Sequence, residues 1–240
     1  MHKVETYNFK AESFHVDCEG RLFLGVLGNN MLNAAGRHAD ARGFGINTLK
    51  ENNYTWVLSR LAIELNTMPT DGQSVTIETW IEAVYRLFTD RNFAIKDADG
   101  KVLGYALSVW AMIDLSTRKP VDLLTMNAGT LPEWLDTERP CLCEKPGRIK
   151  CAATEAEMSY TILYNDVDIN GHHNSVKYID HILDLFPLDF LRSHTIKRFE
   201  IAFVNEGHYG ERIDAFRDEN NNVELKHGDD VLCRAHIDFA

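Results

Sequence analysis

Met31, Leu32, Ala34, Ala35 and Ala39 recur at helical spacing over residues 29–42, and small side chains cover much of that surface. Such a helix can be wrapped closely by a sheet, so it is expected to be central and buried. The rhythm then shortens. Arg60-Leu61-Ala62-Ile63-Glu64 and Val75-Thr76-Ile77-Glu78-Thr79 alternate with period two, as half-buried strands do. Asp99-Gly100, set between apolar stretches at 93–96 and 102–105, is a strong hairpin signal. Past the middle of the chain the order recurs. Val176, Ile179, Ile182, Leu183 and Phe186 mark a second helix that Pro187 closes. Residues 211–217, 222–226 and 231–239 read as strands, with a turn at 218–221.

The two halves correspond position by position. Arg60 and Ile63 precede Arg198 and Ile201 by 138 residues, and Gly72 and Val75 precede Gly210 and Ile213 by the same offset. A helix followed by an antiparallel meander, present twice, predicts an α+β protein built by duplication. Four of the six prolines, Pro120, Pro132, Pro140 and Pro146, fall within residues 116–153, where the periodicity fades. The expected division is therefore 1–125, a linker at 126–150, and 151–240.

Composition narrows the function. With 45% hydrophobic and 25% charged residues in 240, the chain must fold to act. A net charge of −11 opposes a grip on nucleic acid or anionic membranes. No window reaches the ~18 apolar residues of a membrane span, and the N-terminal residues lack the apolar core of a secretory signal, so a cytoplasmic protein without membrane insertion is expected. Five cysteines, an odd number, fit free thiols in a reducing compartment. Cys141, Cys143 and Cys151 lack the paired spacing of a zinc knuckle, and neither a metal nor another cofactor is called for.

The densest polar cluster is Tyr164-Asn165-Asp166-Val167-Asp168-Ile169-Asn170-Gly171-His172-His173-Asn174, ahead of the second helix. Turn and capping chemistry accounts for some of it. Two Asp, two Asn and two His within nine residues exceed what a cap needs, and imidazole is a poor cap. An amide, an imidazole and free helix N-terminal amides are parts for holding an oxyanion and moving a proton.

Asp168-Ile169-Asn170-Gly171-His172, followed by Asn174, Val176-Lys177-Tyr178 and Ile182-Leu183, resembles the signature of plant and bacterial acyl-acyl-carrier-protein (acyl-ACP) thioesterases. The likeness extends to residues 33–43, 56–60, 77–80 and 110–112. It implies a double hotdog, two fused units that each wrap a curved antiparallel sheet around a long helix. It also implies that the second unit carries the catalytic groups and the first much of an acyl tunnel, with Trp56, Leu58, Trp80 and Met112 as candidate walls. The family pattern places Glu, usually followed by Cys, on the strand after the second helix. Here these positions hold Glu206 and Gly207.

Without a thiol at 207, the resemblance implies direct hydrolysis. Water would be activated by Glu206, His172 or both, with Asn170 at the oxyanion and Asp168 fixing the motif. His38, at the pseudo-symmetric position of a second site, is read as structural. The implied partner is acyl carrier protein bearing a fatty acyl chain, with homo-oligomers open. Being acidic, the carrier needs a basic face, for which Arg86, Arg91 and Lys96, then Arg118 and Lys119, then Arg148 and Lys150 are candidates. An acyl-coenzyme-A thioesterase of the same fold and a noncatalytic acyl-binding module are the alternatives, and the intact catalytic set argues against the latter.

Overall fold

The structure, a computed structural model, describes residues 2–240, leaving out the side chains at 127 and 128. The first half runs β1 (Val4–Lys10), α1 (Leu24–Asp40), α2 (Ile46–Glu51), β2 (Tyr54–Leu65), β3 (Ser74–Val84), β4 (Thr89–Asp97) and β5 (Val102–Asp114). The second runs β6 (Met158–Thr161), α3 (Ser175–Leu183), α4 (Leu188–Ser193), β7 (Ile196–Phe203), β8 (Arg212–Arg217), β9 (Asn222–His227) and β10 (Asp230–Phe239). Ten strands form one antiparallel sheet in the order β1-β3-β4-β5-β2-β7-β10-β9-β8-β6. The second five repeat the first five in reverse, as a two-fold axis between β2 and β7 requires.

The sequence repeat locates that axis. Ala62 lies opposite Glu200, its own counterpart at the 138 offset, and Arg60↔Ala202 mirrors Glu64↔Arg198. The repeated arginines hold the connector against this seam. Arg60 donates to the carbonyls of Pro146 and Gly147, while Arg198 donates to that of Glu144 and pairs with Glu64 and Glu200. Cys143 is buried here with its thiol on the Ala62 carbonyl, and the connector cysteines do not assemble as metal ligands among the described residues.

The helices lie on the sheet's concave side. Leu27 and Met31 of α1 and Ile179 and Ile182 of α3 share one core with Ile63, Phe93, Phe199 and Ile201 of the strands. Each such fully buried side chain contributes about 1.5–3 kcal/mol. Helix α1 begins five residues before the expected start. Gly25 and Gly28 look like helix breakers in sequence, but they are where α1 meets α3, and the Asp180 carboxylate fills the space of a Cβ on Gly25. β1 was not anticipated either, although Val4–Lys10 alternates and pairs along its length with β3.

The offset is not constant along the chain. Ahead of the helices the halves correspond at 151: Gly20 and Gly171 both have positive φ, and the bridges Val16↔Leu22 and Val167↔His173 match. From β2 onward it is 138, so thirteen residues have been added between. Most lie in the C-terminal part of α1, since α3 stops at Leu183, whose counterpart is Leu32, while α2 and α4 stand in matching places just ahead of β2 and β7.

Candidate active site

The motif folds as a five-residue turn ahead of α3. The bridge Val167↔His173 closes it, the Asp168 amide donates to the His172 carbonyl, and Gly171 takes the left-handed conformation the reversal needs. Asp168 organises the interior, since its Oδ1 accepts the amides of Asn170 at 2.8 Å and His172 at 3.2 Å. Asn174 caps α3 by accepting the Val176 amide.

Glu206 reaches the motif from a loop beyond the end of β7, rather than from within the strand. His173 donates its amide to the Gly207 carbonyl and His172 bridges to His208, which sets the two segments side by side. His172 Nδ1 stands 3.5 Å from Glu206 Oε1. The same oxygen accepts from Arg118 at 2.6 Å. Arg118 comes from the first half, on a turn tightened by Asp114, whose carboxylate accepts the Ser116 and Thr117 amides, and its own φ is +59°. Those bonds, Thr117 foremost, lower the Asp114 pKa.

A cavity of about 300 Å³ joins the halves. Asp168, Asn170 and Ser175 line it from the second half, and Trp56, Leu58, Ala35 and Leu131 are among its apolar lining from the first. Of the four proposed wall residues, Trp56 and Leu58 line this cavity. Trp80 and Met112 do not; both are fully buried in the layers behind. Nor do His172 and Glu206 line it; both side chains are partly exposed.

His38 and Arg91 contribute polar lining to the cavity. Arg91, 7% exposed, donates to the Thr79 hydroxyl and faces His38 Nδ1 at 3.3 Å, while His38 Nε2 contacts the Lys3 carbonyl at 3.0 Å. Burial, then the Arg91 charge, lowers His38 to a pKa of about 3. Burial, then Arg42, lowers Arg91 to about 9. Arg91 therefore belongs to the interior and to no docking face. Position 38 is not the counterpart of the motif histidine. Arg21 is, on a turn reading Asp17-Cys18-Glu19-Gly20-Arg21.

Position 207 carries no side chain, and its surroundings are tight. A Cβ there would meet Ile162 Cδ1 at 2.8 Å and the Tyr178 hydroxyl at 3.0 Å. Elsewhere, burial raises the pKa of the Cys141, Cys143, Cys151 and Cys233 thiols, with Cys143 reaching about 12, opposite to what a nucleophile needs. Sequence reasoning did not connect Arg118 to Glu206, 88 positions apart, and only the Asp114 turn hints at a fixed arginine.

The acyl-ACP thioesterase N-terminal domain family matches residues 2–126, and the C-terminal domain family matches residues 149–239. An acyl-ACP thioesterase from Bacteroides thetaiotaomicron of known structure is 52% identical, with a TM-score of 0.93 over 99% of this chain and 98% of that one. The 12:0-ACP thioesterase from Umbellularia californica shares the fold, at 20% identity and a TM-score of 0.84 over 99% of this chain and 94% of that one. The chloroplastic palmitoyl-acyl carrier protein thioesterase of Gossypium hirsutum is 27% identical over 85% of this chain and 52% of its own length. The chain thus spans about half the length of that relative. No helix among the described residues is long and apolar enough to cross a membrane. Matched in both halves by paired family domains, the chain belongs to the acyl-ACP thioesterase family.

Proposed function

We propose that this chain hydrolyses fatty acyl-ACP, releasing the free acid. The observation that carries the reading is the motif turn itself, which presents Asp168 and Asn170 to an apolar cavity of the other half while its His172, outside that cavity, stands 3.5 Å from Glu206. The acyl chain lies along Trp56 and Leu58, and its thioester carbonyl reaches the motif turn. Glu206, with His172 beside it, takes a proton from water as the hydroxide attacks the carbonyl carbon. The Asn170 amide donates to the developing oxyanion. The tetrahedral intermediate then expels the thiolate, which the proton held by the His172–Glu206 pair neutralises.

Direct water attack is favoured by the glycine at 207, which offers no sulfur for an acyl-cysteine at the position the family pattern gives to Cys. Asp168 acts by shape: it holds the amides that present Asn170 and His172. Arg118 has two uses here, orienting the Glu206 carboxylate and offering positive charge beside the entrance to an acidic carrier.

Glu206→Gln and His172→Ala test the proposal in folded protein, with a long-chain acyl-ACP as substrate. Turnover is expected to fall about 10²–10⁴-fold. Near-normal rates in both would remove the assignment. Presenting the same acyl group on coenzyme A tests the carrier, since equal efficiency on both would reject carrier protein as the preferred one.

A further inference from the structure

The tandem histidines of the motif diverge. Successive residues of an extended segment place their side chains on opposite faces, so His172 turns to Glu206 while His173 turns inward, 5% exposed. Neither ring nitrogen of His173 has a hydrogen-bond partner. Of seven such orphaned buried atoms among the described side chains, four belong to His173 and two tyrosines packed against it, Tyr160 and Tyr178. Buried polar atoms without protein partners are rare, and a concentration of them marks a place where water or an ion can supply the partner.

Two donors stand beside His173. Asp166, on the 3-10 turn that opens the motif, and His181, on α3, each present a ligand atom, and one atom from each of the three residues lies within 4.8 Å of the others. We propose that Asp166, His173 and His181 form a binding site for a divalent transition metal of the zinc class. Two imidazoles and a carboxylate suit such an ion, and three protein ligands leave a fourth position for water. Asp166 Oδ1 and His181 Nε2 are 3.1 Å apart, close to the ~3.3 Å between neighbouring ligands of a tetrahedral centre with ~2.05 Å bonds. Asp166 Oδ2 is fixed by the Leu163 amide, and Oδ1 is held by His181 Nε2 in a hydrogen bond whose proton the ion would replace.

A bound ion would tie together the turn before the motif, the segment pairing with Gly207, and α3. It would clamp the motif from behind without touching the thioester. The site stands independently of the proposed hydrolysis, and its test does not read activity.

Zn²⁺ alone is titrated calorimetrically into chelator-stripped protein. One equivalent is expected to bind, and Asp166→Asn and His181→Gln should each weaken it by at least the ~10–100-fold that loss of an outer-shell partner costs, while leaving the circular dichroism unchanged. Both residues are only half-buried, so these variants avoid the folding risk of replacing His173. Co²⁺ in place of Zn²⁺ should give the ligand-field absorption of a nitrogen and oxygen site. Absence of saturable Zn²⁺ binding, equal affinity in His181→Gln, or a thiolate charge-transfer band with Co²⁺ would each overturn the proposal.

Discussion

The turns at residues 17–21 and 168–172 are the same object put to two uses. In both, an aspartate accepts two amides of its own turn: Asp17 those of Glu19 and Arg21, Asp168 those of Asn170 and His172. Both place glycine at positive φ, and both pair their last residue with the segment after a long strand, Arg21↔Thr70 and His172↔His208. They differ in what the side chains meet. Arg21 folds back onto Asp17 and donates to the Leu191 and His194 carbonyls at the end of α4, while Glu19 pairs with Arg192. His172 meets Glu206, whose counterpart at the 138 offset is Met68. The first turn fastens a helix, whereas the second, on the same backbone, carries proposed chemistry.

The helices diverge in the complementary sense. α1 continues past the point where α3 stops, and this extension carries Ala35, His38 and Ala39, which line the cavity. Phe44, between α1 and α2, and Ile46, the first residue of α2, line it too. One half kept the reactive turn and the other lengthened its helix over a cavity. Neither half alone holds both.

The sharpest break of this comparison is to remove the matching side chain from each turn. Asn170→Ala should lower kcat about 10²–10³-fold on acyl-ACP, as loss of an oxyanion donor does. Glu19→Ala, at the matching position, should leave kcat within twofold. Equal effects on kcat would mean that the turns are not functionally distinct.

A second contrast lies in acid. His38 is present because α1 is long, and it faces the Arg91 and Arg42 guanidiniums and the Lys3 carbonyl, with Glu5 pairing to Arg42. The folded protein protonates it only near pH 3, whereas the unfolded chain does so near 6.5. Between those values the unfolded state holds more protons, so stability falls as pH drops and is unaffected by this group above about 6.5. The slope approaches ~1.4 kcal/mol per pH unit. Urea unfolding at pH 7 and pH 5 should show a smaller loss for His38→Gln than for the parent. Equal losses would move the acid sensitivity elsewhere.

Gly207→Cys probes whether the space at 207 is closed as its Cβ contacts indicate. Overpacking against Ile162 and Tyr178 should cost about 1–3 kcal/mol. Adding Tyr178→Phe removes the hydroxyl from that space and should recover part of the loss. No burst of acyl-enzyme should follow in either variant.

How far the sequence reveals this architecture follows from which signals are local. Arg60 and Arg198 exposed the duplication, because strand pairing across a two-fold axis imposes the same pattern on both copies. The turn at 168–172 was legible for the same reason, since its Asp, Asn and Gly are what the backbone there demands. The first turn escaped notice because Arg21 stands where histidine was sought, and the added residues shift its register from 138 to 151. The Glu206–Arg118 contact and the inward course of His173 come from segments brought together by the fold, which no periodicity encodes.

The smallest effect isolates what the turns still share. Asp17→Ala and Asp168→Ala each release two backbone amides, and each should cost about 1 kcal/mol, measured as a shift in the urea midpoint at constant slope. Only Asp168→Ala should also lower kcat, because it frees the amides that present Asn170 and His172, whereas the Asp17 turn presents a tether to α4. Raising the ionic strength adds a further distinction. The Arg21 and Arg192 contacts of the first turn are partly charge-borne and should weaken, so the cost of Asp17→Ala should shrink in high salt while that of Asp168→Ala holds. If both costs responded alike, the division of labour between the turns would rest on the side chains at 172 and 206 alone.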